Sequence, residues 1–369
     1  MTTAKPSTAK PSTAKPSTAN PDTTRPGTAG PRYPSRWAKA AGLVAVVFLS
    51  SGCFIHYKQS AVNPKGSVAR QLNNLFWPVF WIAVGVFVLV AGLVLIAVIR
   101  FRARSDDEAP RQVHGNTRLE VMWTIIPALL LAGIAIPTVK MVFDINRIPK
   151  NLMQVDVIGH RWWWEFDYKD PAHPQDVLFR TANELHLPAG QKFELNLSSV
   201  DVIHNFWVPN LAGKLYAIPG RFNHMVMDAD NPGTYYGQCS EYCGTSHANM
   251  RLRVIAQTPA DFASWESGQQ AGPATPESAD AVTGAQLFTT KGCTGCHSIT
   301  GISKGTVGPN LTHFKSRSVF AGSIFENTDN NLRAWLANPP AEKPGSVMPN
   351  LNLSAAEIHG LIAYLDTLK

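Results

Sequence analysis

Charge is what this chain has least of. Only 16% of its residues are charged, while 45% are hydrophobic. Residues 76–99 and 121–139 carry no charge at all. Each run is close to the ~20 residues that a helix needs to cross a bilayer. Two such neighbouring runs fit poorly with the buried core helices of a soluble protein. The formal net charge is +7, but much of it sits in an N-terminal low-complexity tail and in arginines beside the apolar runs. No basic patch interleaved with aromatics appears, so nucleic acid is not an implied partner. Cysteine is scarce too, five among 369 residues, and each can be weighed separately.

Cys239 and Cys243 stand four apart, His247 follows four later and Met250 three after that. His204 lies upstream in Val202-Ile203-His204-Asn205-Phe206. Soft thiolates, imidazoles and a thioether together select copper over hard cations. Two thiolates can bridge two copper ions, and His204, His247, Met250 and one backbone carbonyl would complete two four-coordinate sites. Zinc takes Cys and His but rarely Met. A local disulfide has no use for His and Met at those offsets.

This stretch resembles the binuclear copper (CuA) loop of cytochrome c oxidase subunit II. The resemblance implies Cys239, Cys243, His204, His247, Met250 and the carbonyl of Glu241 as ligands. It also implies a magnesium ion, reached by the Glu241 carboxylate at the border with the catalytic subunit.

From its start, the chain repeats Ala-Lys-Pro-Ser-Thr three times and then drifts. Proline removes donors and nothing apolar is present to bury, so residues 1–35 read as a disordered tail. An apolar run from Ala40 to Leu49 follows Arg32, Arg36 and Lys39, and Leu49-Ser50-Ser51-Gly52-Cys53 looks like a bacterial lipoprotein cleavage box. Ser50 departs from the usual leucine. The expectation is that residues 1–52 are removed, that 53–75 form an outer N-terminal segment, and that Cys53 is acylated. Residues 76–140 then form a transmembrane helical hairpin. Its loop holds Arg100, Arg102, Arg104, Arg111 and Arg118, the mark of the cytoplasmic side. Everything after Lys140 would lie on the outer, periplasmic face of a bacterial plasma membrane. Glu120 opens the second helix, where a carboxylate suits the positive end of the helix dipole. The resemblance gives it a second reading, at the mouth of a proton channel in the catalytic subunit.

In a domain bounded at 150–268, residues 150–257 read as strands, with Phe193, Leu195 and Leu197 apolar between polar residues and turns at Pro188-Ala189-Gly190 and Asn231-Pro232-Gly233. Short strands with such turns indicate a sandwich or barrel, and the resemblance implies an all-β cupredoxin domain. Trp162, Trp163 and Trp164 form an aromatic cluster within it. Packing explains some of these rings. The resemblance makes Trp162 the surface point where electrons reach copper. Thr258-Pro259 starts a helix expected to run to about Gly268, and 269–280 is a linker by composition.

Residues 281–369 form the last domain. Cys293-Thr294-Gly295-Cys296-His297 is the c-type haem attachment motif. Pro309 follows where a carbonyl would orient His297. Met348, the sole methionine after Met250, offers a sixth ligand to iron. A final helix begins at the capping box Ser354-Ala355-Ala356-Glu357. The stretch resembles an all-α class I cytochrome c.

Together the parts resemble subunit II of a bacterial haem–copper oxidase with a fused cytochrome c, the caa-type arrangement. The resemblance implies an electron-input subunit whose partners are subunit I, subunit III and an external donor, either cytochrome c or a cytochrome bc complex. Subunit I would reduce oxygen to water and pump protons. A copper-containing nitric oxide reductase uses the same input domain and is the alternative; Glu120 favours the oxidase. The intact copper ligands exclude a quinol oxidase subunit. A tethered copper carrier or electron shuttle would need only a lipid or a single helix as its tether.

Overall fold

The computed structural model of the chain describes residues 57–102 and 114–369, with Gly42 and Gln112. Cys53, Arg104 and Arg111 lie outside the described residues, as does nearly all of the tail. The chain divides into two units, Met1–Ile55 and His56–Lys369; the second carries all that follows.

Helix α1 spans Ser67–Arg100 and helix α2 spans Thr117–Ile145. At 34 residues, α1 is roughly 50 Å long, well over the ~30 Å hydrocarbon core of a bilayer. Both helices therefore overrun the charge-free stretches. The reason at the start of α1 is visible in its first turn. Val68 and Ala69 are buried there. The Ser67 amide and hydroxyl donate to the Asp228 carboxylate at 3.1 and 2.5 Å, and Arg70 forks onto Asp230 with both bonds at 2.7 Å. A carboxylate at a helix N-terminus meets the positive end of the dipole. Any side chain at Gly66 would collide with the Asp228 and Leu211 carbonyls, which keeps this joint close. Asn116 caps α2, accepting from the Arg118 and Leu119 amides at 3.1 and 3.3 Å.

Ten strands follow. Sheet one is built from β1 (Met153–His160), β2 (Trp163–Lys169), β3 (Val177–Ala182), β5 (Phe193–Ser199) and β8 (Asn223–Met227), in the order β3-β2-β1-β5-β8. Sheet two holds β4 (Glu184–Pro188), β6 (His204–Trp207), β7 (Leu215–Ala217), β9 (Gly233–Cys239) and β10 (Arg251–Gln257), in the order β4-β10-β9-β6-β7. β1 with β5 and β4 with β10 are parallel; the other pairs are antiparallel. Strand alternation decides the inner face. Val155 and Val157 of β1, Trp164, Phe166 and Tyr168 of β2, Leu195 and Leu197 of β5, and Leu252 and Val254 of β10 are all buried in one core. Helix α3 (Pro259–Gln270) closes the open end with Phe262 and Trp265 against Phe193 and Tyr168. Thr258 caps it, as its sequence suggests. It runs two residues past Gly268 into the stretch expected to be linker.

The last region begins at the Ser278 cap of α4 (Ala279–Thr290). It continues through α5 (Asp329–Ala337), α6 (Pro339–Glu342) and α7 (Ala355–Leu365). The capping box at Ser354 and Glu357 is formed. α4 and α7 cross where Gly284 meets Gly360; a Cβ on Gly284 would collide with the Gly360 carbonyl. Two short ladders, Ser298–Ile299 with Ser303–Lys304 and Val319–Phe320 with Phe325–Glu326, complete it. The region does not hang free of the sandwich. The Arg251 amide donates to the Gly322 carbonyl at 2.9 Å and the Ser318 amide to Glu184 at 2.9 Å.

Candidate metal centre

β9 ends on Cys239, a turn carries Glu241 and Cys243, a 3₁₀ turn holds His247–Asn249, and Met250 leads into β10. His204 opens β6, the neighbour of β9. These elements converge on one end of the sandwich. The Cys239 and Cys243 sulfurs are 3.8 Å apart, far from the ~2.05 Å of a disulfide. Cys239 Sγ lies 3.9 Å from His204 Nδ1 and 3.2 Å from the Glu241 carbonyl. Cys243 Sγ lies 3.5 Å from His247 Nδ1 and 3.9 Å from Met250 Sδ. All six donors named from the sequence are thus brought together. The donor atoms of His204, Cys239 and Cys243 lie within 4.8 Å of one another, and all three residues are buried.

The surroundings fit metal ligation. His204 Nε2 bonds Asp201 Oδ1 at 2.8 Å, which leaves Nδ1 free to ligate. Burial opposes the Asp201 charge, yet the His204 hydrogen bond and the Val202 and Arg161 amides hold its pKa at about 2. His204 is raised in turn: burial disfavours its charge, and Asp201 outweighs that. The hydrogen bond from Cys243, against the cost of burial, pushes Cys239 down to about 4, and the same bond raises Cys243. The closeness of the two sulfurs thus favours loss of one proton from the pair, and metal binding releases what remains. Gly159 is required beside the ring, because a Cβ there would stand 2.6 Å from His204 Cδ2. Asp201 was not among the residues the sequence pointed to; the signal was an Asp three before the His.

A second constellation lies in the C-terminal region. Cys293, Cys296, His297, Pro309 and Met348 line one crevice with Phe288, Leu311 and Trp335. His297 Nδ1 is 2.9 Å from the Pro309 carbonyl, so its Nε2 faces the crevice chemistry. Burial lowers the His297 pKa, with the Pro309 bond opposing it. A Cβ on Gly308 would approach His297 Cε1 to 2.5 Å. An apolar slot with two thiols, a neutral oriented imidazole and a thioether fits a covalent haem.

Trp162 stands between the two. Its indole N–H donates to the Cys243 carbonyl at 3.1 Å, and the residue lines the same crevice as Cys293 and Cys296. Expected at the surface, it is only 7% exposed. The cause is the C-terminal region itself: Gly345 lies so close that a Cβ would be 2.7 Å from the ring. Glu120 is not brought to either constellation. It sits exposed in the first turn of α2, roughly 40 Å of helix away from where the sandwich begins.

The chain matches the family descriptions of the cytochrome c oxidase subunit II transmembrane domain over residues 56–141, its periplasmic domain over 153–257, and cytochrome c over 281–369. Cytochrome c oxidase subunit 2 of Alkalihalophilus pseudofirmus is 37% identical over 345 residues, covering 90% of this chain and 98% of that one. The Bacillus subtilis protein of the same name is 32% identical over 356 residues, with the same two coverages. Among solved structures, the periplasmic domain of subunit II of the Bradyrhizobium japonicum cytochrome oxidase is 29% identical, covers 34% of this chain and 97% of that one, and has a TM-score of 0.31. With both subunit II domains and the fused cytochrome c present in one chain, and relatives matched along nearly their whole length, the chain belongs to the cytochrome c oxidase subunit 2 family.

Proposed function

We propose that this chain receives electrons at its C-terminal haem and hands them through Trp162 to binuclear copper, from which they leave for subunit I. Cys293 and Cys296 would hold the haem, with His297 and Met348 on its iron. His204, Cys239, Cys243, His247, Met250 and the Glu241 carbonyl would hold two coppers. Haem and copper supply the one-electron chemistry when bound. The protein's own part is to orient and to exclude water. Asp201 and the Pro309 carbonyl fix the two imidazoles. Buried Cys239, Cys243 and Met250 keep the copper end dry. The observation that carries the reading is Trp162, bonded to the copper loop while lining the haem crevice.

The reading extends to neighbours. The arginine loop would face the cytoplasm and both redox regions the outside, and Cys53 would be acylated. Glu241, half-buried beside the copper loop, would reach a magnesium ion at subunit I. Glu120 would serve a proton channel there, subunit III would complete the core, and cytochrome c or a cytochrome bc complex would be the donor. The test is Trp162→Phe in the assembled oxidase. Haem and copper spectra should be unchanged while transfer between them slows. Unchanged transfer would remove Trp162 from the route.

A further inference from the structure

Lys343 is 4% exposed, a rare state for a lysine without a carboxylate partner. Its Nζ donates to the Trp162 carbonyl at 2.5 Å and to the Ala321 carbonyl at 2.8 Å. Trp162 belongs to the copper-bearing sandwich, whereas Ala321 and Lys343 belong to the haem region. One ammonium therefore ties a carbonyl from each. The chain around it continues the contact. Ser246 of the copper loop donates its hydroxyl to the Pro344 carbonyl at 2.5 Å. Gly345, at φ +82, lies against the Trp162 ring where no side chain fits. Five residues after Lys343 comes Met348, on the wall of the haem crevice. A single short loop thus runs from the copper loop's tryptophan to the thioether.

A buried ammonium is costly to keep. Burial pulls the Lys343 pKa down to about 7. A leucine or methionine would fill the same volume without that cost, so packing alone does not account for a lysine here. Its donors do: among the described residues, Lys343 is the donor that the Trp162 and Ala321 carbonyls share across the two regions.

Resting on the electron route above, we propose that Lys343 is a positioning residue, a latch that holds the Met348 loop on Trp162 and so fixes the haem crevice against the copper loop for transfer. It stands on the wall of the haem crevice and acts on the copper side through the Trp162 carbonyl. Without it the Arg251–Gly322 and Ser318–Glu184 bonds would still hold the haem region on the sandwich, but the Met348 loop would lose its fixed seat on Trp162 and each transfer would wait for the loop to return.

The test uses the assembled oxidase carrying the full chain. Lys343→Leu removes both donors at similar bulk and adds no competing thioether. A ruthenium photoreductant injects an electron at the haem, and haem and copper absorbance are followed. The haem-to-copper rate should fall by about tenfold or more, as misplacement of reacting groups commonly costs. It should also become slower with added sucrose, which the unmodified protein's rate should not. The near-infrared methionine–iron band and the purple copper spectrum should stay unchanged. Lys343→Gln, able to reach one carbonyl at most, should fall between. A rate and viscosity response matching the unmodified protein would overturn the latch. Loss of the near-infrared band in both variants would overturn it as well, assigning Lys343 to folding of the methionine loop. Absence of any haem-to-copper transfer in the unmodified protein would instead remove the route on which the latch depends.

Discussion

At the scale of single residues, the copper loop is governed by which sulfur sees which nitrogen. Cys239 faces His204 and the Glu241 carbonyl, while Cys243 faces His247 and Met250. Removing one bridging sulfur should leave too few soft donors for two ions. A soluble fragment of residues 150–268 should bind two coppers, turn purple and show electron-spin coupling to both nuclei. Its Cys243→Ser variant should bind one copper and lose the purple band; metal analysis and spin resonance decide. Asp201→Asn keeps the fold but weakens the hold on His204 Nε2. Copper affinity should fall by about 10–100-fold, the usual effect of losing such a partner, measured by competition with a chelator. Every proposed ligand was legible in the sequence, because metal ligation forces rare residue types into fixed short spacings. Asp201 and Lys343 were not. An Asp in a loop and a Lys near a Pro-Gly turn are ordinary surface residues by composition. The partners of Lys343 lie 181 and 22 positions away, beyond any local pattern.

At the scale of elements, the outer face of sheet one carries a tension that alternation alone does not reveal. Asp167 of β2 is 3% exposed, next to Glu165 on the same face and Arg180 of β3 at 3.0 Å. Burial, then the Glu165 charge, raises its pKa to about 7 although Arg180 opposes this. A carboxyl whose folded pKa is raised binds its proton more tightly folded than unfolded. Its contribution is fully present below the ordinary carboxylate range near pH 4 and is lost as pH climbs towards 7. The sandwich should therefore lose melting temperature between pH 4 and 7, and Asp167→Asn should flatten that slope and be the more stable protein at pH 8. Calorimetry of the 150–268 fragment checks this; a slope unchanged in the variant would contradict it. The strands were readable from period-two apolar residues, and the helix starts at Thr258 and Ser354 from their caps. Helix ends were less so: α1 begins at Ser67 because Asp228, far along the chain, accepts its first-turn donors.

At the scale of the whole molecule, three regions behave as one body through bonds between residues distant in sequence. The burial of Trp162 was illegible for this reason: nothing in Gly159-His160-Arg161-Trp162 hints that Gly345 will lie on the ring. The proposed topology rests on the arginine content of the loop in the sequence. Protease added to intact spheroplasts should remove residues beyond 145 and spare the 100–118 loop, detected with antibodies to each side; cleavage within the loop alone would reverse the orientation.

The joint between α1 and the sandwich has a mechanical consequence. Ser67 and Arg70 clamp Asp228 and Asp230, while α2 feeds within a few residues into β1. Two struts thus enter the sandwich at short joints, which restrains how this block can tilt about them. With the two helices in a bilayer, as proposed, its height above the lipid would be set like that of a lamp on a bracket. On the proposed route a reductant would have to deliver at that height, and subunit I would have to present its acceptor at a matching one. Lengthening either strut by a helical turn would lift the block by about 5 Å and break register with the oxidase without disturbing a single ligand.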